Sequence, residues 1–379
     1  MVRPIPRVVI VGAGVGGLSA AIDLASSGLR VTVVEREAGP GGKLAAVDVD
    51  GVRVDAGPTV LTMRWVFEEL FGGAGLVFEE HVRLRALAVL ARHAWPDGSR
   101  LDLHADEEST VEAIAAMSGR ADAESYRAFS ANAKRIYETV EGPFLRSQRP
   151  TLPRLLRQTW TLGPGVLSRI DAGRTMWASL ASRFVDPRLR QLFARYATYC
   201  GGSPFEAPAT LSLIAHVEAA GVYRIDGGMA GLAETLAGVA RSLGVEFVFG
   251  TAVHRVIVRR GRATGVALQG GEARDAEAVI ANVDVSAVGS GALGPEVARA
   301  ARVTPAGARS FSAVTWAMRA TARGFPLLHH NVFFSDDYAA EFEALLAARR
   351  VPARPTVYVC AEDRSASGDD RGEERLLLV

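Results

Sequence analysis

Cysteine is almost missing from this chain of 379 residues: it has two, Cys200 and Cys360, far apart and outside any CxxC pair. That excludes a disulfide framework and a zinc ribbon, and it fits a reducing compartment. Lysine is nearly missing as well. Lys43 and Lys134 stand alone among 43 lysines and arginines, so arginine is the default cation and a lysine is a marked choice. Neither sign of charge is in excess. The formal net charge is +1, which implies no global attraction to nucleic acid. Nowhere does the chain approach the ~18 uncharged apolar residues of a membrane-spanning helix. The run from Val8 to Ala25 follows Arg3 and Arg7 as a secretory leader would, but Asp23 interrupts it and glycines recur through it at structured spacing. A leader is therefore not expected. There is no GxSxG elbow and no HExxH, so no nucleophile triad or zincin site is read, and no catalytic acid or base is assigned. His329-His330 is the one adjacent histidine pair. Adjacent side chains point apart, so no metal is expected there.

What is present is globular in character, with 49% apolar and 22% charged residues. The length fits roughly two or three domains. Val8-Val9-Ile10-Val11 reads as a buried parallel strand. Leu18 to Ser27 has helical periodicity and ends at Gly28, a natural C-terminal cap. Arg30 to Val34 is a second strand closed by Glu35. Residues 42–62 read as a short strand pair turning at Asp50-Gly51, and Trp95-Pro96-Asp97-Gly98 as a turn. Residues 106–200 are mostly helical in pattern. Strands return at Val245–Phe249, Val253–Val258 and Gly265–Leu268 after a helix over Gly228–Leu243, and Glu277–Ala281 is expected to be a further buried strand. The terminal Leu376–Val379 reads as an apolar strand with nothing to pair, as though a last segment were absent.

Gly12-Ala13-Gly14-Val15-Gly16-Gly17 contains GxGxxG. Gly12 permits the tight strand-to-helix turn, Gly14 lets the backbone approach a pyrophosphate, and Gly17 lets helix and strand pack closely. The helix N-terminus then faces the anion with unpaired N–H groups and the positive end of its dipole. Glu35 stands where a carboxylate accepts from ribose hydroxyls, and its charge disfavours a 2′-phosphate and hence NADP. The same expression recurs at Gly289–Gly294, but no strand leads directly in and Pro295 follows. That copy reads as a loop.

The fingerprint alone does not separate FAD from NAD. Glu35-Arg36 with Gly39-Pro40-Gly41-Gly42-Lys43 resembles the flavoprotein pattern of the amine oxidase and carotenoid desaturase superfamily. In that pattern the glycine pair and its cation pass beside the pyrophosphate, and Lys43 stands where many members carry arginine. Asp55-Ala56-Gly57-Pro58-Thr59 resembles the DxGPT segment of bacterial carotenoid desaturases, near the flavin ring. Tyr196–Phe205, Gly227-Gly228-Met229 and Ala281-Asn282-Val283-Asp284 resemble three further elements of these proteins, and Val253 falls where members hold the adenine. The chain is thus identified as a member of the phytoene desaturase family. Trp95–Ser99, His330–Phe334 and Tyr358–Arg364 look most like the 1-hydroxycarotenoid 3,4-desaturases.

The resemblance implies an α/β and α+β protein: a Rossmann-like, amine oxidase/GDI-like FAD domain with an inserted sheet-and-helix substrate domain. The expected division is 1–64 and 206–285 for FAD, 65–105 and 286–379 for substrate, and 106–205 for a helical, membrane-facing region, with a final FAD segment absent. It implies FAD as cofactor, held by Gly12, Ala13, Gly14, Gly16, Gly17, Glu35, Arg36, Gly41, Gly42, Lys43, Gly57, Pro58, Thr59 and Val253. It implies desaturation of an acyclic carotenoid such as hydroxyneurosporene, with dioxygen and a quinone both open as electron acceptor. Phytoene desaturation, amine oxidation and a non-catalytic, GDI-like lipid-binding role stand as alternatives. A polyene substrate implies peripheral attachment at the cytoplasmic face of a membrane. The expected docking surface is Arg146 to Arg195, where ten arginines face two aspartates among Leu155, Leu156, Trp160, Leu167, Trp177 and Leu180.

Overall fold

The computed structural model describes residues 5–146, 170–171, 173–364 and 372–379. The chain forms two compact units, Met1–Arg85 with Arg224–Arg309, and Ala86–Tyr223 with Ser310–Val379. It passes between them three times, twice near the short strands β5 (Leu84–Ala86) and β8 (Tyr223–Ile225). The mixed α/β and α+β class read from the sequence is what is found.

In the first unit, β1 (Arg7–Val11), β2 (Arg30–Val34), β9 (Glu246–Val248) and β13 (Ala278–Ala281) make a parallel sheet in the order β13-β1-β2-β9. β1 and β2 are apolar and almost wholly buried, as central parallel strands must be because crossover helices cover them. The first helix (Val15–Ser26) connects them and buries Gly17, Leu18, Ala21 and Ile22. Gly28 follows it with φ +80°, the left-handed conformation that closes a helix at little cost to glycine. On another face, Val9, Val11 and Val34 pack with Val256, Val266 and Leu268. The last three come from the antiparallel strands β10 (Val253–Arg259) and β11 (Arg262–Leu268), which β12 (Ala273–Asp275) extends. β3 (Ala46–Val49) and β4 (Val52–Asp55) form the expected hairpin around Asp50-Gly51. The expectation of full burial fails at β13. Ala278 and Ala281 are exposed and Val279 and Ile280 half-buried, because β13 pairs with β1 alone among the described strands.

The second unit is built on a six-stranded sheet in the order β14-β17-β16-β15-β6-β7. Its strands are β6 (Val89–Ala94), β7 (Arg100–His104), β14 (Trp316–Ala320), β15 (His330–Phe333), β16 (Val357–Ala361) and β17 (Glu374–Leu378). β6 and β7 join through the Trp95–Gly98 turn, where the Gly98 N–H donates to the Trp95 carbonyl. The terminal strand corrects the sequence reading. Far from lacking partners, β17 pairs antiparallel with β14 on one side and β16 on the other. Those partners lie up to 62 positions upstream in the chain, so local pattern could not reveal them. Helices Glu107–Ser118, Arg120–Val140, Met176–Ala181 and Pro187–Ala194 accompany the sheet, with Phe129, Phe184, Phe193 and Tyr196 buried in mutual contact. Asp122 anchors them. Its carboxylate accepts from the Val185 and Asp186 N–H groups at 2.7 and 2.9 Å.

At the sheet's edge of the core, Arg364 grips Glu374 with two bonds of 2.6 and 2.7 Å, and both side chains are essentially inaccessible to solvent. Removing one partner leaves an uncompensated buried charge, whereas replacing both with apolar residues does not. Arg364→Met should therefore destabilise the protein by about 3–5 kcal/mol, read as a lower urea midpoint. Adding Glu374→Met to that variant should restore much of the loss. A double variant no more stable than the single one would refute the assignment.

Candidate functional site

Every cofactor-binding residue expected from the sequence belongs to the first unit, and the fold gathers most of them around the junction of β1 with its helix. Gly12 takes φ +100°. A Cβ there would lie 2.7 Å from the Asn282 carbonyl oxygen, and one on Gly17 would lie 2.1 Å from the Gly12 carbonyl oxygen. These two positions admit glycine alone. The Ala13 side chain is fully buried, while Gly16 is exposed at the start of the helix. No side chain caps the helix at Gly14, so the first-turn N–H groups are open to an anion.

A second glycine turn lies against the first. Gly41 pairs with Gly14 as an isolated bridge, and its N–H donates to the Ala13 carbonyl at 2.9 Å. A Cβ on Gly42, which has φ +58°, would come within 3.2 Å of the Gly14 Cα. Gly57 presses on this turn from the other side: a Cβ there would stand 1.8 Å from the Lys43 carbonyl oxygen. The Gly57-Pro58-Thr59 segment is thereby held beside Lys43. Lys43 is exposed and makes no ion pair among the described residues. Arg36 is also exposed and pairs with Glu37 at 3.1 Å.

Glu35 is buried, and both carboxylate oxygens are engaged. One accepts from the Ala13 N–H at 2.7 Å and the other from the Glu37 N–H at 2.9 Å. Each oxygen keeps a further lone pair, so a ribose hydroxyl remains within its chemistry. The Glu35 carbonyl accepts from the Thr251 N–H, and this contact brings the segment leading to Val253 alongside the strand end. Val253 itself is half-buried at the start of β10.

Two residues given no role from the sequence shape this arrangement. Asn282, just past β13, donates from Nδ2 to the Gly12 carbonyl at 3.3 Å. Its side chain is also what a Cβ on Gly14 or Gly16 would meet, at 3.1 and 2.9 Å. Asp55, at the end of β4, accepts from the Met229 and Ala230 N–H groups at 2.6 and 3.1 Å, capping the Gly228–Ser242 helix. A Cβ on Gly228 would stand 2.5 Å from that carboxylate, which explains the glycine there. The strand ending Ala281-Asn282-Val283-Asp284 was the available signal for Asn282. For Asp55 the signal was its place before Gly57.

The second Gly289–Gly294 expression joins two short helices, Val285–Gly289 and Pro295–Ala298, and is the loop it was read as. The histidine pair departs from expectation. The His329 and His330 rings do not point apart: their centres are 4.5 Å apart, beside Cys360.

The family model described as flavin containing amine oxidoreductase matches residues 15–368. The chain is 48% identical over 376 residues to a hydroxyneurosporene desaturase of Rubrivivax gelatinosus, covering 98% of this chain and 72% of that one. It is 34% identical to a zeta-carotene-forming phytoene desaturase of Myxococcus xanthus, covering 98% and 71%. The chain belongs to the flavin containing amine oxidoreductases, in their carotenoid desaturase group. Among solved structures it is similar to an oxidoreductase from Methanosarcina mazei, with a TM-score of 0.61 at 16% identity over 98% of this chain and 78% of that one. That likeness concerns the fold. As a family member the protein is an oxidoreductase whose cofactor is a flavin, and the glycine cradle of the first unit has the shape and donors for a dinucleotide pyrophosphate.

Two substitutions separate the parts of this cradle. Glu35→Ala strands the Ala13 and Glu37 N–H groups and should weaken flavin binding by roughly 1–3 kcal/mol. Gly57→Ala forces the Lys43 turn aside and should lower flavin occupancy in the purified protein. Stoichiometric flavin in both variants, measured by absorbance after gel filtration, would reject the site.

Proposed function

We propose that the protein is an FAD-dependent desaturase that introduces a C–C double bond into an acyclic 1-hydroxycarotenoid such as hydroxyneurosporene. The observation that carries this reading is the 48% identity to a hydroxyneurosporene desaturase along almost the whole chain, joined to a glycine cradle whose helix start carries no side-chain cap. The lower identity to the phytoene desaturase favours the hydroxylated substrate over phytoene.

Bound FAD supplies the two-electron acceptor that no side chain can provide. The chain's own part is binding and orientation. The helix start at Gly14–Gly17 faces the pyrophosphate with open N–H groups. Lys43 places a point charge at the same turn. Glu35 fixes the loop and would meet the ribose, Val253 would border the adenine, and Gly57-Pro58-Thr59 would face the flavin ring. Desaturation removes two hydrogens from adjacent carbons, one as a hydride equivalent and one as a proton.

A water-insoluble polyene implies uptake from a bilayer. No helix among the described residues is long and apolar enough to cross one, and peripheral attachment at the cytoplasmic face is the reading we adopt. The Arg146–Arg195 surface needs revision. Arg146, Arg183, Arg188 and Arg195 pair with acidic partners, and Arg174 and Arg190 donate to backbone carbonyls. Leu180 is buried and cannot enter lipid. Arg149, Leu155, Leu156, Leu167 and Arg169, with Arg154, Arg157 and Trp160, lie outside the described residues. The docking role is assigned to these.

Mixing the flavin-loaded protein anaerobically with 1-hydroxyneurosporene should bleach the oxidised flavin band and yield a longer conjugated chromophore. Equal or greater rates with phytoene, or bleaching by an amine alone, would overturn the substrate assignment. In flotation assays, binding to liposomes should require anionic lipid, fall with salt, and drop when Arg154, Arg157 and Trp160 are all changed to Ser. Unchanged flotation of that variant would place docking elsewhere.

A further inference from the structure

Strand β15 opens at His330, and its antiparallel register sets His330 opposite Cys360 on β16. Residues directly opposite in a ladder share a face. His329 precedes the strand and so escapes the alternation that would carry it to the other face. One ligand atom from each of His329, His330 and Cys360 lies within 4.8 Å of the other two, and all three residues are buried. The His329 Nε2 to Cys360 Sγ separation is 3.9 Å.

The remaining ring nitrogens are occupied. His329 Nδ1 lies 3.1 Å from the Ala361 carbonyl oxygen. A carbonyl only accepts, so Nδ1 carries the hydrogen and Nε2 presents a lone pair. His330 Nδ1 lies 2.6 Å from the Tyr358 hydroxyl, and His330 Nε2 is buried without a hydrogen-bond partner. This is the arrangement that orients metal-binding imidazoles, whose second nitrogen is held by a carbonyl or another polar group.

We propose that His329, His330 and Cys360 form a three-coordinate site for Cu+, bound through two imidazole nitrogens and the cysteine thiolate. Two considerations select this ion, and the spacing of the donors admits it. Thiolate donors favour soft cations. A monovalent ion with one thiolate gives a neutral buried site, whereas a divalent ion would bury a net charge at considerable cost. Bonds of about 2.0 Å to nitrogen and about 2.3 Å to sulfur place such donors roughly 3.6–3.8 Å apart. The 3.9 Å pair meets this almost unchanged, and the widest pair must draw in by about 1 Å. Binding displaces the thiol proton to solvent, and no electron is transferred.

The test uses the whole protein in a Cys200→Ala background, which removes the other, exposed thiol. Under nitrogen, Cu+ is titrated in competition with bathocuproine disulfonate. The parent should retain one equivalent and lose Cys360 reactivity toward a thiol reagent on loading. Cys360→Ser and His330→Gln should each weaken binding about tenfold or more, and Tyr358→Phe about 10–100-fold, as loss of an orienting partner does. Thermal melts of the copper-free variants establish that they are folded, and copper should raise the midpoint of the parent alone. Complete loss of copper to the chelator from the parent, or equal retention by folded Cys360→Ser, would leave an ordinary thiol–imidazole contact and overturn the proposal. Tighter binding of Zn2+ than of Cu+ would overturn the choice of ion.

Discussion

A carboxylate buried at the end of β2 ties the glycine loop that follows β1 to the backbone just beyond β2. Glu35 accepts from Ala13 in the glycine loop and from Glu37 beyond the strand. Bonds from backbone N–H groups to an ionised carboxylate are roughly twice as strong as neutral ones. One of them also settles the Ala13 N–H, which would otherwise be buried and unpaired. The positions around them follow from that tie. With the loop fixed, Gly12 has no room for a Cβ against Asn282, Gly17 none against Gly12, and Gly42 little against Gly14. The sequence of small residues is therefore the imprint of three backbone segments meeting at one point. The same closeness leaves the helix start open to an anion.

This explains why the cradle could be read from sequence and the second unit could not. Strand, glycine turn, helix, strand and acidic terminus occur in order within residues 7–35, and each has a local signal. The Asp50-Gly51 hairpin and the Gly228–Ser242 helix are local in the same way. β17 was misread because its partners are β14 and β16, and a four-residue apolar run carries no record of what it pairs with. The histidine pair was misread for a related reason. Alternation applies inside a strand, but β15 begins at His330, and the register that adds Cys360 is a long-range fact. The burial expected for β13 failed because a short apolar run looks the same at the centre of a sheet and at its edge.

The second unit is unusual in how much charge it buries for a protein assigned an apolar substrate. Arg195 pairs with Glu218 at 3.0 Å, and both are nearly inaccessible. Tyr196 and Tyr199 donate to the same carboxylate at 2.8 and 2.6 Å, and both phenols are pushed above the usual tyrosine range, first of all by burial. Desolvating such a group is costly unless its lone pairs and protons are matched, and here three donors meet one carboxylate. The cluster fixes the Pro187–Ala194 and Leu213–Ala219 helices to one another through side chains at their ends. Specific bonds of this kind define one arrangement where interchangeable aliphatic contacts would tolerate several. A scaffold that must present a long apolar ligand in a single register benefits from that rigidity.

The preference for arginine over lysine follows the same physics and limits the membrane argument. A planar guanidinium with several donors can satisfy a carboxylate and a carbonyl together, and Arg92 does so: it grips Asp102 with two bonds while also reaching the Pro326 carbonyl. Arginines held in this way are less available to a lipid surface than unpaired ones. Of the ten between Arg146 and Arg195, six have internal partners; Arg149, Arg154, Arg157 and Arg169 lie outside the described residues. At about 1 kcal/mol each near an anionic leaflet, all four together would supply about 4 kcal/mol to the proposed attachment. That corresponds to a dissociation constant near the millimolar scale. Charge alone is then too weak to keep the protein at a bilayer. The proposed attachment would then need apolar side chains as well as charge, and Trp160, Leu155, Leu156 and Leu167 of this segment have the chemistry for it.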